Sequence, residues 1–341
     1  MTMMESLQTD PAGTGMRSEA SGEEGRSPRA ETPGTDEPHT GWRHGTVVAG
    51  VRWKNPVGTA SGTFNLAACG RYYDVSAMGA ISTKGVSPVP WEGNPTPRTA
   101  ETPCGTVNAV GLQNPGVEHY LIDELPKLKA LGATVVTNVA GHSDDDYAQV
   151  VARLADSPAD MLEINVSCPN VSHGGMSVGT DPLALFRLIG RLRSISDKPM
   201  VVKLSPNVTD IVEIAKACVD AGADALSLIN TLVGMRLDIN TGKPILANNT
   251  GGVSGPCILP IALSFVWRVR QALPNIPIIG IGGISKGEDA LEFLYAGANA
   301  VEVGAASLLD PVAPLRVAHE LESLLDSRPQ LAEKLEKGMA W

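Results

Sequence analysis

The sequence contains few aromatic residues, no block of basic residues and no long apolar run. Aromatic residues make up 4% of the 341, so platforms that stack nucleic-acid bases are not expected. The formal net charge of −10 also argues against nucleic acid as a partner. No run of about 18 apolar residues occurs, so no membrane span is expected. The first residues lack the apolar segment of a secretory leader, and we expect a cytoplasmic protein.

Paired cysteine motifs are missing as well. The five cysteines form no CxxC and no cysteine–histidine pair at metal-ligand spacing. We therefore expect a reducing compartment, with no disulfide framework, metal site or iron–sulfur cluster held by this chain. Four of the five are predicted to be small buried hydrophobes, namely Cys69, Cys104, Cys218 and Cys257.

The composition changes sharply near residue 42. Residues 1–41 are rich in Ser, Thr, Gly, Pro and Glu and contain almost no large apolar residue. Such a segment buries too little surface to offset its ordering entropy, which predicts a disordered tail. Residues 42–341 are predicted to form one folded domain.

Short apolar runs alternate with amphipathic segments throughout that domain. This alternation indicates a parallel sheet covered by helices, and eight repeats of it predict an α/β fold of the (β/α)8 TIM-barrel class. Residues 46–53 are predicted to be an additional short strand that closes the barrel floor. The eight barrel strands are predicted at residues 56–62, 80–85, 134–141, 161–168, 199–206, 225–231, 277–283 and 300–306.

Two connections are longer than ordinary turns. Residues 86–115 follow the second predicted barrel strand, and residues 232–257 follow the sixth. Long ordered loops in a compact domain are usually functional. Because both follow strands, they are expected at the C-terminal face, where barrel enzymes build their sites.

Polar residues recur near the C-terminal ends of the predicted strands. Lys84, Asn138, Asn165, Lys203 and Asn230 each occupy such a position. One buried amide or ammonium is easily a satisfied core residue. Several converging ones would each cost about 1–3 kcal/mol without partners, so a large polar ligand is expected among them.

Glycine-rich turns follow the seventh and eighth predicted strands. Gly282-Gly283 and Gly304-Ala305 would present backbone N–H groups beside helix N-termini, the usual phosphate site of barrels. Together with two lysines and two amides, such a site suits flavin mononucleotide, with Lys203 near the N1/O2 edge of the ring. A simple sugar-phosphate ligand remains an alternative at this point.

Several motifs resemble the class 1 dihydroorotate dehydrogenases, FMN-containing (β/α)8 enzymes of pyrimidine biosynthesis. The most specific are NVSCPN, NAVGLQNPG and TGGVSGP, read together. The tail lies outside the resemblance. The matching segments are residues 55–64, 82–88, 108–116, 163–171, 201–211, 228–231, 246–263 and 280–284.

The motifs GLQNPG and LANNTGGVSGP are most similar to the NAD-dependent type 1B. That resemblance implies one FMN per chain and a partner subunit that carries FAD and a 2Fe–2S cluster. It also implies a homodimer core within a heterotetramer and NAD⁺ as final acceptor. A fumarate-dependent type 1A oxidase and a non-redox FMN- or phosphate-binding barrel remain the alternatives.

The resemblance implies oxidation of (S)-dihydroorotate to orotate, in which Cys168 removes the C5 proton and FMN accepts the C6 hydride. A departure from the family pattern occurs at Ala305, where threonine is expected. The implied FMN contacts are Ser61, Lys84, Gly85, Asn138, Asn165, Lys203, Ile229, Gly255, Gly282, Gly283, Gly304 and Ala305. The implied substrate contacts are Lys84, Asn108, Ala109, Val110, Gly111, Leu112, Asn165, Asn230 and Thr231.

Overall fold

A computed structural model describes residues 44–167 and 178–337 of the chain. Three predictions fall partly or wholly outside these ranges. The tail predicted at residues 1–41 lies outside them, and so does Cys168, the predicted base. The domain predicted from residue 42 is described from His44 to Lys337, apart from residues 168–177.

The described residues contain strands of three to five residues. In chain order the strands are β1 (Thr46–Val48), β2 (Val51–Trp53), β3 (Val57–Thr59), β4 (Ala80–Ser82), β5 (Thr99–Thr102), β6 (Gly105–Asn108), β7 (Val135–Val139), β8 (Met161–Asn165), β9 (Met200–Lys203), β10 (Ala225–Leu228), β11 (Leu232–Met235), β12 (Thr250–Ser254), β13 (Ile278–Ile281) and β14 (Ala300–Val303).

Helices connect most of these strands. The α-helices are α1 (Leu66–Cys69), α2 (Val117–His119), α3 (Leu125–Ala130), α4 (Asp144–Leu154), α5 (Pro182–Arg193), α6 (Ile211–Asp220), α7 (Leu259–Ala272), α8 (Gly287–Tyr295), α9 (Ala305–Leu309), α10 (Ala313–Ser327) and α11 (Pro329–Lys337). A π-helical segment, Tyr120–Glu124, joins α2 to α3, and 3₁₀ turns lie at Val75–Ala77, Val178–Thr180 and Pro256–Ile258.

Eight strands form a closed parallel barrel in the order β3-β4-β7-β8-β9-β10-β13-β14, which confirms the predicted fold class. Each of the eight predicted segments contains one barrel strand. The strands end two or three residues before the predicted boundaries, and the remaining residues enter the loops above the barrel. Those loop residues include many of the assigned ligand contacts, whereas Asn138, Asn165 and Lys203 lie within the strands.

The segment 46–53 is a hairpin, and its prediction as one strand was wrong. β1 and β2 pair antiparallel, with Thr46 opposite Trp53. Ala49 and Gly50 both have positive φ, at 48° and 80°, as the tight two-residue turn of a hairpin requires. Val48 and Trp53 are fully buried against the first inward residues of the barrel strands, so the segment closes the floor as predicted.

The helices pack their apolar faces on the outside of the barrel. In α6, capped by Asp210, the buried residues Ile211, Ile214 and Cys218 recur at helical spacing. α4 begins at a capping box formed by Ser143 and the third residue of the helix. Within the described ranges, no helix combines the length and the apolar character that a bilayer crossing needs.

Two of the four cysteines predicted to be buried are exposed. Cys69 and Cys218 are buried free thiols, as predicted. Cys104 and Cys257 are exposed, because both lie in the connections that cover the barrel rather than on a helix face against it. A backbone hydrogen bond of 3.3 Å from Cys257 N to Cys104 O joins these connections.

The two long connections pair with each other above the C-terminal end of the barrel. They form a four-stranded antiparallel sheet in the order β11-β12-β6-β5. Asn108 at the end of β6 lies opposite Gly252 of β12, so residues far apart in sequence meet above the strand ends. The expectation that these loops are ordered and lie at the C-terminal face is confirmed.

Candidate active site

A cavity of about 1010 Å³ lies between the barrel strand ends and the four-stranded sheet. Every residue that the resemblance assigns to FMN lines it, and so does every residue assigned to substrate. Cys168 lies outside the described residues, but Asn165 and Ser167 before it line the cavity. Folding therefore brings the predicted contacts into one space.

The barrel interior below this cavity has two layers. The lower one, which we call the floor, contains the apolar residues Ala80, Val136, Met161, Val201, Ala225, Ile279 and Ala300 beside Trp53. Two residues further along six of the same strands lies a second layer, which we call the polar layer. It consists of Ser82, Asn138, Glu163, Lys203, Ser227 and Glu302, all buried.

Glu163 is the centre of the polar layer. Its Oε2 accepts a hydrogen bond from Asn138 Nδ2 at 2.5 Å, and its Oε1 accepts one from Ser227 Oγ at 2.7 Å. Lys203 Nζ lies 3.7 Å from Oε2 and also donates to Ser61 Oγ at 3.1 Å. Glu163 thus holds the side chains of two predicted flavin contacts, Asn138 and Lys203, from below.

Glu302 is the second buried carboxyl group of the layer. Ser82 Oγ donates to its Oε1 at 2.5 Å, and its Oε2 has no partner among the described residues. Burial, and next the negative charge of Glu163, raise the pKa of Glu302 to about 8, against the opposing effects of Lys203 and Ser82. These effects favour the protonated form of Glu302.

Sequence reasoning missed both glutamates. The signal was present, because each is a charged residue inside an otherwise apolar strand, in MLEIN and in AVEV. In a strand, alternate residues face the same side, and both glutamates share the inward side with the floor residues Met161 and Ala300.

Two predicted contacts have polar groups that find no partner within residues 44–167 and 178–337. The Oδ1 atom of Asn138 is buried and has no hydrogen-bond partner among the described residues. It lies close to Gly85, where a Cβ would be 3.0 Å away. Burial alone lowers the pKa of Lys84, with no described charge or hydrogen bond offsetting it. A ligand with a donor for Asn138 and an electronegative group for Lys84 would satisfy both.

The residues at the ends of β8 and β10 are joined above β9, the strand between them. Asn230 Nδ2 donates to Asn165 Oδ1 at 3.0 Å, and Asn230 Oδ1 accepts from Thr231 N at 2.9 Å. Tyr147, fully buried in α4, donates its hydroxyl to Asn165 O at 2.7 Å. The strand that leads to Cys168 is therefore fixed up to its last residue.

The predicted substrate loop, residues 108–112, has a specific backbone conformation. Gly111 and Leu112 have positive φ, at 76° and 53°, and a Cβ at Gly111 would be 2.5 Å from Asn94 N. Asn94 Nδ2 donates to Ala109 O at 3.0 Å. A left-handed leucine beside a cavity is a conformation that recurs at functional sites.

Arg98 holds this loop and was not singled out from the sequence. Its guanidinium donates to Gln113 Oε1 at 2.7 Å, to Glu92 O at 2.9 Å and to Asn94 O. Its carbonyl accepts from Ala109 N at 2.8 Å. Arg98 therefore links the start of β5, the turn that contains Glu92 and Asn94, and the substrate loop.

An aromatic pair lies at the rim of the cavity. The rings of Trp91 and His142 stack with centroids 3.8 Å apart and an angle of 7° between their planes. The sequence assigned His142 no role. Its ring and that of Trp91 both line the cavity, and the stack joins the loops after β4 and β7.

The glycines of the predicted phosphate site are also required by protein packing. A Cβ at Gly283, where φ is 76°, would be 2.9 Å from Gly255 O. The N–H groups of Ser285 and Lys286 at the start of α8 already donate to Asp289 Oδ2. The backbone N–H groups that remain for a phosphate are therefore those closer to the ends of β13 and β14 than to the start of α8.

Comparison with known proteins identifies the family to which a chain with this barrel and cavity belongs. Residues 45–325 match the family model described as "Dihydroorotate dehydrogenase". A protein of Geobacter sp. (strain M21) is 53% identical over 282 residues, covering 82% of this chain and 92% of the relative. One from Listeria monocytogenes serovar 1/2a is 50% identical over 282 residues, with the same coverage. Both are named "Dihydroorotate dehydrogenase B (NAD(+)), catalytic subunit". The chain belongs to the dihydroorotate dehydrogenase family.

Proposed function

We propose that the chain oxidises (S)-dihydroorotate to orotate as the catalytic subunit of an NAD⁺-dependent enzyme of pyrimidine biosynthesis. The observation that carries the proposal is the convergence of all the described residues with assigned ligand roles on one cavity of about 1010 Å³. Relatives about half identical over 82% of the chain carry that name, which supports the NAD⁺ type over the fumarate-dependent type.

FMN fits the polar groups that line the cavity. Its ring offers donors and electronegative atoms in one plane, as the unpartnered Asn138 Oδ1 and the half-buried Lys84 ammonium require. When bound, it supplies the acceptor for the hydride from C6 of the substrate. Ser61 and Lys203 would approach it from below. The remaining assigned contacts are Gly85, Asn165, Ile229, Gly255, Gly282, Gly283, Gly304 and Ala305.

The chain's own residues orient the substrate. Dihydroorotate carries a carboxylate and a cyclic ureide, which need cationic and amide partners. Lys84 supplies the positive charge, while Asn108, Asn165 and Asn230 supply amides that both donate and accept hydrogen bonds. Thr231 and the backbone of residues 109–112 complete the assigned substrate contacts.

Cys168 is the proposed base for the C5 proton. It follows the fixed end of β8, where Asn165 is held by Tyr147 and Asn230. A thiol has a pKa of about 8.5 when unperturbed, so a base working near neutrality needs a share of the thiolate form. We expect Cys168→Ser to retain bound FMN and to lose most turnover near neutral pH.

We further propose that electrons leave through a partner subunit that carries FAD and a 2Fe–2S cluster. The word "catalytic subunit" in the names of the relatives supports the existence of a partner. The assembly proposed is a homodimer of this chain within a heterotetramer. A cytoplasmic location is proposed because Cys69 and Cys218 are buried free thiols, which suits a reducing compartment.

The first experiment is an anaerobic absorption spectrum of the purified chain before and after dihydroorotate is added. We expect an oxidised flavin spectrum that bleaches with substrate. A flavin spectrum unchanged by dihydroorotate in the presence of the partner would contradict the substrate. Failure to bind added FMN would contradict the proposal as a whole.

The same sample tests the base and the electron acceptor. Cys168→Ser should bleach far more slowly at neutral pH, whereas Cys104→Ser, which changes an exposed thiol, should bleach at the parent rate. Reoxidation by NAD⁺ only with the partner present is expected. Rapid reoxidation by fumarate without the partner would favour the fumarate-dependent type instead.

A further inference from the structure

The polar layer under the cavity contains two buried carboxyl groups but one ammonium group. Glu163 and Glu302 are both completely buried, and Lys203 is the cation of this layer. Two carboxylates in the same interior repel each other, so one of them is expected to remain protonated.

The hydrogen bonds distinguish the two carboxyl groups. Glu163 receives donors on both oxygens and lies 3.7 Å from the Lys203 ammonium, an arrangement that suits a fixed anion. Glu302 has one donor, Ser82, and its Oε2 has no partner in the described part of the chain. An unpartnered oxygen costs less on a neutral acid than on a carboxylate.

The side chains that surround Glu302 come from several barrel strands. β14 lies between β13 and β3, which present Ile281 and Ala60 to the interior. The charged groups acting on Glu302 are Glu163 of β8 and Lys203 of β9, and its hydrogen-bond donor is Ser82 of β4. Its protonation therefore depends on the balance of charge around Lys203.

We propose that Glu302 is an exchangeable proton site beneath the flavin site: over the pH range in which it is ionised in the oxidised protein, it takes one proton up from water when negative charge arrives above Lys203 and releases it when that charge leaves. The inference rests on the proposed function. Glu302 acts through Lys203 and Glu163, so it is a positioning residue that tunes the charge of the site, while Glu163 fixes the direction of Asn138 and Lys203.

The test is the reduction of bound FMN by dithionite, without dihydroorotate, at several pH values. The midpoint potential of the flavin is measured in the parent chain and in Glu302→Gln. Burial raises the pKa of Glu302 to about 8, so we expect the group to ionise in the oxidised protein as the pH rises through that region. There we expect the parent to take up about one proton more per two electrons than the variant, and its potential to fall more steeply with pH.

Two further variants separate this role from general damage. Ser82→Ala removes the hydrogen-bond donor that favours the ionised form of Glu302. The pH above which the flavin potential falls more steeply should therefore be higher in this variant than in the parent. Glu292→Gln changes an exposed glutamate of α8 and should leave the pH dependence of the potential unchanged. If Glu302→Gln does not fold, the shift in Ser82→Ala still tests the inference.

An infrared titration of the oxidised protein adds a readout that involves no electron transfer. We expect a protonated-carboxyl band that disappears above about pH 8 and is absent in Glu302→Gln. Equal potential slopes in the parent and Glu302→Gln, with FMN bound in both, would overturn the inference and leave the proposed function intact. A chain that binds no FMN would overturn both.

Discussion

The floor and the polar layer come from the same barrel strands but differ completely in chemistry. On β8 the floor residue is Met161 and the polar-layer residue is Glu163. On β9 the corresponding residues are Val201 and Lys203. Two residues, about 7 Å of strand, therefore separate a dry apolar core from a buried network of charges.

The difference shows how one barrel combines stability with chemistry. The floor packs against Trp53 and buries apolar surface, which stabilises the fold by about 25 cal/mol for each Å² removed from water. The polar layer costs free energy, because charges are buried there, and its hydrogen bonds offset only part of that cost. Such a layer is expected where the groups above it need fixed positions and fixed charge.

The largest effect is expected from removing the centre of the polar layer. In Glu163→Leu, Lys203 loses its ion-pair partner and keeps only Ser61 Oγ, while Asn138 and Ser227 lose their acceptor, and all three remain buried. We expect the free energy of unfolding to fall by about 3–5 kcal/mol, since an unpaired buried charge is left behind. Urea denaturation followed by tryptophan fluorescence measures the change.

The matched control places the same residue in the floor of the same strand. Met161→Leu exchanges one apolar side chain for another of similar volume and should cost less than about 1.5 kcal/mol. If the two leucine variants lost equal stability, the distinction between the layers would be wrong.

A smaller effect is expected in the pH dependence of stability. Burial raises the pKa of Glu302 to about 8, so the folded chain keeps a proton that the unfolded chain releases near pH 4.5. Stability from this group therefore falls as pH rises between these values, by up to about 1.4 kcal/mol for each pH unit. Glu302→Gln should flatten this decline.

The measurement is the urea midpoint at pH 5, 6, 7 and 8 in parent and variant. Glu292→Gln, on the exposed side of α8, serves as control and should keep the parent's dependence on pH. An unchanged decline in Glu302→Gln would mean that Glu302 is ionised in the folded chain at neutral pH.

Much of the fold could be predicted from the sequence because its signals are local. The apolar runs and the amphipathic stretch of α6 reveal eight strand–helix units without any knowledge of tertiary contacts. The hairpin at 46–53 was missed because Ala49 carries no sign that it adopts a positive φ. The four-stranded sheet was missed because its pairing joins Asn108 to Gly252, a contact that no local pattern reveals.

The assigned ligand residues were found through motifs, whereas the other members of the polar layer were not. Motif residues such as Asn138 and Lys203 stand at strand ends, where a polar residue attracts notice. Glu163 and Glu302 lie inside strands, and the network that links Glu163 to Ser227 depends on barrel closure. Arg98 was missed for the same reason, since its partners become neighbours only when the loop folds.

The smallest effect is expected from exchanging single polar and apolar groups along β10. Ser227→Ala removes one donor from Glu163, which keeps Asn138 and Lys203, so the loss should be about 0.5–1.5 kcal/mol. Ala225→Ser places a hydroxyl in the floor, where the neighbouring side chains are apolar, and should cost about 1–2 kcal/mol. The double variant reverses the order of the two layers on one strand. The free energy of unfolding of the double variant should fall by nearly the sum of the two single decreases. A decrease close to zero would mean that β10 tolerates either order. The boundary between the layers would then be set by the other strands.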